Sequence, residues 1–310
     1  MIERRGYSGK LQTGGNKSNG ESAMVVSFLL PAAFFIGVFV IYPALYSIYL
    51  SLTNASLARP VWSLIGVRNY LDFFKDPATL QVLKNTYIYV FWVIVLQFVL
   101  GLGFALALNR VERFRGIYGA ILFLPWVISD ITAVSAWKWI FNDTYGLLNY
   151  YLGRIGLGQP SWLASPNLAM VAAIGLNVWK GAPFSMVIEL AGLQSIPLEL
   201  YEAAKVDGAR PWEVFRFVTV PMMKFVMLAN FILITIYTFN IFSLVYAFTG
   251  GGPLNYTEII GLNMYRQAFT LGRLGYGSAI GVVMFVLNLV ITAIYLKTIA
   301  RRQVVDIQET

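Results

Sequence analysis

Apolar residues run along this chain in six long blocks, separated by polar stretches. A helix that crosses ~30 Å of hydrocarbon needs about 20 residues, and every block reaches that length. The blocks are Met24 to Ser51, Thr86 to Leu108, Ile117 to Phe141, Leu168 to Leu190, Phe225 to Phe248 and Gly277 to Leu296. The pattern predicts an all-α membrane protein with six transmembrane helices. Blocks one, two, five and six carry no charge, whereas block three contains Asp130 and Lys138 and block four Lys180 and Glu189. Residues 1–23, with Gly14-Gly15, Asn16, Ser18, Asn19 and Gly20, have no signal-peptide layout and read as a flexible polar tail. Residues 24–300 are expected to form one transmembrane domain, and residues 301–310 a second tail.

Composition narrows the function. The chain is 58% hydrophobic and 12% charged, where soluble domains carry about 25% charged residues. It has neither cysteine nor histidine. That removes disulfides, thiolate metal sites, the commonest general base and the commonest metal ligand. No nucleophile or metal set for an intramembrane enzyme can be assembled, and no catalytic or metal residue is assigned. The net charge of +8 raises nucleic acid as a partner, but the basic residues follow topology instead. With the N-terminus inside, fourteen of the 23 lysines and arginines fall on cytoplasmic segments and seven on outer ones. Positive charge accumulates on the cytoplasmic side, so both termini and the segment between blocks four and five are expected there. Nucleic acid is excluded as a partner, and the bilayer is the surrounding medium.

That segment, "ELYEAAKVDGARPWEVFRFVTVP" from Glu199 to Pro221, is the most polar long stretch in the middle of the chain. Ser195 can cap a helix and Pro197 fits its first turn. Asp207-Gly208 is a helix stop, because glycine accepts the left-handed conformation. Pro211 starts a second short helix to about Phe217, and Val218 to Pro221 turns the chain back into the membrane. On residue chemistry alone, the segment is either an ordinary amphipathic loop or a knob for a groove on a soluble partner. Tyr201 and Ala204 share a face, while Glu202, Lys205 and Glu213 can remain wet.

The spacing Glu202-Ala203-Ala204, Gly208, Pro221 resembles the EAA loop of ABC importer permeases, E-A-A-x3-G-x9-I-x-L-P. Val218 and Val220 stand at the two aliphatic positions, a mild departure. "TGGGP" at Thr249 to Pro253, "NVWKGAPF" at Asn177 to Phe184 and "LAGLQSIP" at Leu190 to Pro197 are similar to carbohydrate-uptake permeases of the maltose and glycerol-phosphate type. The resemblance runs from Met24 onward and implies the six-helix, MetI-like fold of type I importers. It also implies a coupling helix on a cytoplasmic ATPase, with Tyr201, Glu202, Ala203, Ala204, Asp207 and Gly208 at the contact. Glu202 would touch the ATPase, the alanines would allow close approach, and Gly208 would permit a turn where a side chain would clash. No Walker A pattern is present, so no cofactor is expected in this chain, with ATP and Mg²⁺ on the partner ATPase. Implied partners are a second homologous permease, two ATPase subunits, an extracytoplasmic solute-binding protein and a saccharide. The implied location is a bacterial or archaeal cytoplasmic (inner) membrane.

Charges inside spans are expensive and point to function. Lys180 lies midway along block four, before Gly181-Ala182-Pro183. A proline there predicts a helix break whose exposed backbone is covered by protein or by a water-filled cavity. Lys180 can serve the path, or bond a carbonyl or carboxylate on a neighbouring helix. Glu189, nine residues on, lies about 180° round the helix and cannot pair with it. In relatives, the segments matching Asn177, Trp179, Gly181 and Phe184, and Tyr237, Thr238 and Ile241, line the sugar site. The resemblance thus implies a substrate path that includes these residues and Lys180. Lysine beside this tryptophan is common in the family, so anionic sugars stay open beside neutral oligosaccharides. Asp130 can face the path or form a buried pair. Lys138 can snorkel outward. The glycines before Pro253 form an outer loop near the path or a structural turn, and Pro31, Pro43 and Pro125 are expected as kinks. Trp and Tyr at span ends are expected as interface anchors, and Arg110 to Arg115 as a positive-inside clamp. The competing function is an ion-gradient-driven secondary transporter of a small polar solute, with Asp130, Lys180 and Glu189 as its relay.

Overall fold

The computed structural model describes residues 18–59 and 61–308, with side chains for 27–59 and 61–297. It is helical, and among the described residues extended chain pairs only in isolated bridges, Thr53 with Leu64 and Ser56 with Arg59. Among the described residues five helices are long and apolar enough to cross a membrane, or six if one bent helix pair is taken as a single span. Most of the tail expected at residues 1–23 lies outside the described residues, but Ser18 onward is helical.

The chain divides into a unit ending at Tyr49 and one starting at Leu50. In the first, α1 (Ser18–Ile36) leads through a π-helical turn, Gly37–Ile41, into α2 (Tyr42–Ser51). That turn ends two residues before Pro43. A second π turn, Phe215–Thr219, ends two residues before Pro221. Proline removes the donor to the i−4 carbonyl and its ring crowds that carbonyl. In both places that carbonyl, of Phe39 and Phe217, lies in the wider π turn, which gives it room.

In the second unit, α3 (Arg68–Lys75) precedes α4 (Pro77–Asn109). Asp76 caps α4 by accepting the Ala78 N–H at 2.9 Å, and Pro77 sits in the first turn, where its missing N–H costs nothing. The third span is not one helix, as the sequence predicts. α5 (Arg115–Val127) and α6 (Asp130–Ile140) meet at 92°, with Ile128 and Ser129 extended. Ser129 Oγ accepts the Thr132 N–H and starts α6 afresh. After α7 (Leu147–Arg154), α8 (Pro166–Gln194) runs unbroken through Pro183, contrary to the predicted break. Two-thirds of its central window (67%) is buried, against 28% for α4, and packing on all sides holds the helix despite the missing donor.

α9 (Leu198–Val206) and α10 (Pro211–Val214) form the polar segment. The predicted turn at Val218 to Pro221 is absent. The chain continues from Pro211 through the second π turn into α11 (Val220–Asn240) as one run of helix. The fifth span then ends eight residues before the expected Phe248. Ile241 is extended, and α12 (Ser243–Phe248) is a separate helix. α13 (Ile260–Tyr265) leads towards α14 (Leu274–Gln308), which continues past the expected end at Leu296 and through most of the expected tail.

The core sits where α4 and α8 run against each other. A Cβ added at Gly101 would lie 2.5 Å from the Cβ of Ser185, so only glycine permits this approach. Gln97 of α4 donates to the Gly181 carbonyl and to Ser185 Oγ, both at 3.1 Å. Asn230 of α11 donates to Glu189 Oε1 at 2.8 Å. Polar cross-links of this kind hold helices together where lipid offers no hydrophobic drive.

Candidate functional site

The EAA residues lie on α9 and its C-terminal turn. Gly208 has φ +78°, which glycine adopts without strain. Its N–H donates to the Lys205 carbonyl at 3.1 Å, and the Ala209 N–H donates to Ala204 at 3.0 Å. These are the two bonds of a Schellman motif, which satisfies the open carbonyls of a helix end. No atom lies within 4 Å of a Cβ placed on Gly208. Within this chain the glycine is therefore needed for its backbone conformation, not to avoid a clash. Ser195 does not cap α9. It closes α8, its Oγ donating to the Gly192 carbonyl at 2.8 Å, and Pro197 opens α9.

Glu202, Ala203 and Asp207 are exposed, and so is Val206, at 87%. Tyr201 and Ala204 are half-buried. Tyr201 packs beside Leu193, Ile196 and Met223, and its hydroxyl lies 3.3 Å from Thr219 Oγ1. Glu213 accepts the Arg210 N–H at 2.6 Å and orders the entry to α10. The segment is thus a short, capped helix with one face on the protein's own core and an acidic-apolar face open.

The second cluster lies at mid-membrane depth. Lys180 stands 14 residues from each end of α8 and is 7% exposed. Its ammonium donates to the carbonyls of Trp126 and Ile128 at the break after α5, and lies 3.3 Å from Asp130 Oδ1. Asp130 Oδ2 accepts the Ser243 hydroxyl at 2.8 Å, just past the break after α11. One ionic node thus ties both broken spans to the unbroken one. Lys180 and Asp130 are paired with each other, and the aspartate side chain stays 31% exposed.

An aromatic row runs beside this node. Phe184 stacks on Trp126 with ring centroids 4.7 Å apart, and Trp126 lies 5.8 Å from Tyr237. Tyr237 is 41% exposed. Asn177 and Thr238 are buried, at 1% each. Thr238 Oγ1 has no hydrogen-bond partner among the described residues, and the Tyr89 hydroxyl lies at the Asn177 side chain.

The remaining residues predicted for the path lie elsewhere. Trp179 faces the other way, 5.6 Å from Trp137, and lines an apolar cavity of about 500 Å³ between α4, α5 and α8. Gly181 abuts Gln97, and Ile241 packs in the core. The structure brings Lys180, Phe184 and Tyr237 together, and adds Trp126 and Ser243, which sequence reading missed. A tryptophan far from either end of its span is the signal that could have found Trp126. Ser243 carries no such signal.

At the "TGGGP" turn, Gly250 and Gly251 have φ +62° and +90°. Arg266 donates to the Gly250 carbonyl at 2.8 Å and to Glu258 Oε2 at 2.7 Å. Asn263 donates to the other carboxylate oxygen. The loop is therefore a fixed turn.

Comparison with known proteins places this geometry. Residues 97–303 match the family described as the binding-protein-dependent transport system inner membrane component. The trehalose/maltose transport system permease MalF of Thermococcus litoralis is 36% identical, over 89% of this chain and 94% of its own. The sulfoquinovosyl glycerol transport system permease SmoG of Agrobacterium fabrum is 34% identical, over 90% and 91%. The crystal structure of a bacterial alginate ABC transporter, in complex with a periplasmic protein bound to alginate pentasaccharide, contains a similar fold. Its TM-score is 0.77 at 22% identity, covering 89% of this chain and 93% of that one. The chain is a MetI-like ABC importer permease of the carbohydrate-uptake family.

Proposed function

We propose that this chain forms half of the translocation path of an ATP-driven, binding-protein-dependent saccharide importer. A second homologous permease supplies the other half. Two copies of a separate ATPase, holding ATP and Mg²⁺, complete the importer, and the coupling loop of this chain docks into a cleft on one of them. An extracytoplasmic binding protein delivers the saccharide. The chain itself is non-catalytic. It lies in a bacterial or archaeal inner membrane with both termini in the cytoplasm, as its basic residues favour.

The observation that carries this reading is α9. It is closed by the Gly208 Schellman motif, anchored through Tyr201 and open along Glu202, Ala203 and Val206. A capped helix that exposes an apolar residue at 87% beside a carboxylate is a docking element. After the Gly208 turn, α10 continues into α11 as one run of helix, and Tyr201 ties α9 to that run at Thr219, so displacement of α9 bears on a span. Lys180, Phe184 and Tyr237, which the structure brings together around Trp126, are the proposed path residues with Asn177 and Thr238 behind them, offering aromatic faces for sugar rings and amides and hydroxyls for their OH groups.

An ion-driven transporter needs ionisable groups free at mid-depth. Lys180 and Asp130 are paired, and Glu189 holds Asn230 through Oε1 while its Oε2 has no hydrogen-bond partner among the described residues; the pairing of two of the three favours the importer. The test is saccharide uptake into vesicles holding the complex purified through this chain. Uptake that requires ATP and is indifferent to a protonophore supports the proposal. Uptake without ATP, abolished by a protonophore, refutes it.

A further inference from the structure

We propose that the loop joining α4 to α5 and the cavity between those helices form one binding site for an anionic phospholipid. Its phosphate sits at Arg110–Arg115 and one acyl chain fills the cavity. The site lies apart from the Lys180 node, on the side of α8 that carries Trp179.

The apolar end is the cavity of about 500 Å³ between α4, α5 and α8. Among the side chains that line it, only the indole of Trp179 carries a polar atom. Val99, Leu100 and Ile121 on its walls are exposed, so it opens between α4 and α5 at the surface of this chain. Packed interiors hold few voids larger than a water molecule, and an apolar cavity offers water no partners. A hydrocarbon chain from the surrounding bilayer suits it.

The fold sets where the polar end lies. Gln97 of α4 meets Gly181 of α8, and one turn on Gly101 meets Ser185. The two helices therefore run in the same direction, and the loop after α4 lies at the membrane face from which α9 projects. That loop carries Arg110, Arg113 and Arg115 against Glu112. Among the described residues none of the three arginines meets a carboxylate. Arg115 Nη2 donates to Asn109 Oδ1 at 2.9 Å, while its Nε is buried with no partner among the described residues. A buried charged donor left open is costly and calls for an acceptor. α5 starts beside it without a side-chain cap, and that end of a helix also favours negative charge.

Depth joins the two ends. Phe104 and Ile121, on the cavity walls, each lie six residues from Arg110 and Arg115 respectively, about 9 Å along their helices. The hydrocarbon of one leaflet is about 15 Å deep, so a phosphate at the loop brings its acyl chain level with the cavity. A positive-inside clamp needs charge alone, whereas here charge and an apolar slot are aligned. A helix from a partner would cover the slot but bring no anion to the arginines. A phospholipid supplies both, and basic pockets beside spanning helices hold anionic headgroups in this way.

The experiment uses the complex purified through this chain, in vesicles that contain phosphatidylglycerol with a photoreactive group on one acyl chain. Labelled peptides are read by mass spectrometry. Label should fall on the cavity wall, at Leu100 or Ile121. A phosphatidylcholine with the same chains should label those positions about tenfold less. The double variant Arg113→Gln, Arg115→Gln should bring phosphatidylglycerol down to that lower level. Ile121→Trp, which fills the slot and leaves the arginines in place, should lose the label at Leu100. The comparison of the two lipids needs no variant and decides the matter even if both variants fail to fold. Equal labelling by the two lipids would show that the loop selects nothing, and would overturn the inference. A cavity that takes no label from either lipid, while other spans of the chain are labelled, would also overturn it, because a partner's helix then fills the slot.

Discussion

Tyr201 of α9 places its hydroxyl 3.3 Å from that of Thr219, in the π turn that leads into α11. Thr219 is buried, and the tyrosine ring packs beside Met223. The bond links α9 to the start of the fifth span across the Gly208 turn, so a shift of α9 is passed to α11. Tyr201→Phe loses the hydrogen bond, worth about 1 kcal/mol. Tyr201→Ala also loses about 2 kcal/mol of apolar burial. In Tyr201→Ala the assembled complex should still hydrolyse ATP while sugar uptake drops about tenfold, within the usual range of coupling energies. An unchanged ratio of sugar moved to ATP consumed would remove Tyr201 from the linkage.

Gly208 separates a conformational requirement from a steric one. With φ +78° and nothing near its Cβ position, Gly208→Ala should cost about 1–2 kcal/mol for the left-handed backbone. Asparagine tolerates that conformation better. Gly208→Asn should therefore retain more uptake than Gly208→Ala, at equal membrane levels. The reverse order would mean that a partner surface excludes side-chain bulk there.

Two glycines of α4, two residues apart, should respond oppositely to alanine. A Cβ at Gly101 would lie 2.5 Å from Ser185 and 3.1 Å from the Met186 nitrogen, whereas one at Gly103 meets nothing within 4 Å. Overpacking at Gly101 should cost about 1–3 kcal/mol. Gly103→Ala should be neutral or gain up to about 1 kcal/mol in helix propensity. Thermal unfolding of the purified chain in detergent would read both, and equal shifts would contradict the close α4–α8 approach.

Arg266 bridges two elements with two prongs, one to Glu258 and one to the Gly250 carbonyl. Glu258 is 3% exposed. Removing the cation strands a buried carboxylate, which costs about 3–5 kcal/mol, and the arginine's 31% side-chain exposure puts this site at the lower end. Arg266→Ala should lower the unfolding temperature. Arg266→Lys should recover less than half, because a point charge cannot make both bonds. Full recovery by lysine would reduce the site to a simple ion pair.

The sequence revealed what depends on local chemistry. Asp207-Gly208 marked the helix stop, and the structure closes it with the Schellman bonds. The six apolar blocks marked the spans. Features decided by tertiary contact were hidden. Pro183 signalled a break, yet α8 stays helical because neighbours enclose it. Ile128-Ser129 carries neither glycine nor proline, yet the chain turns by 92° there. Its freed carbonyls are met by Lys180, more than fifty positions away. Asp130 and Lys180 could each be read two ways from sequence, because the partner that decides between them comes from another helix. The π turns were illegible for a different reason. Pro43 reads as a kink and Pro221 as the end of a turn, and only the backbone shows that a widened turn ahead of each absorbs it.

The most direct test of the coupling account is a pull-down of the tagged chain from native membranes in mild detergent, with partners identified by mass spectrometry. A Glu202→Lys, Gly208→Asp double variant is run beside the wild type. The account predicts that an ATPase and a second permease come down with the wild type. It predicts that the variant keeps the permease and loses the ATPase. An ATPase retained in full by the variant, or a wild-type chain recovered alone that still transports without ATP, would contradict it.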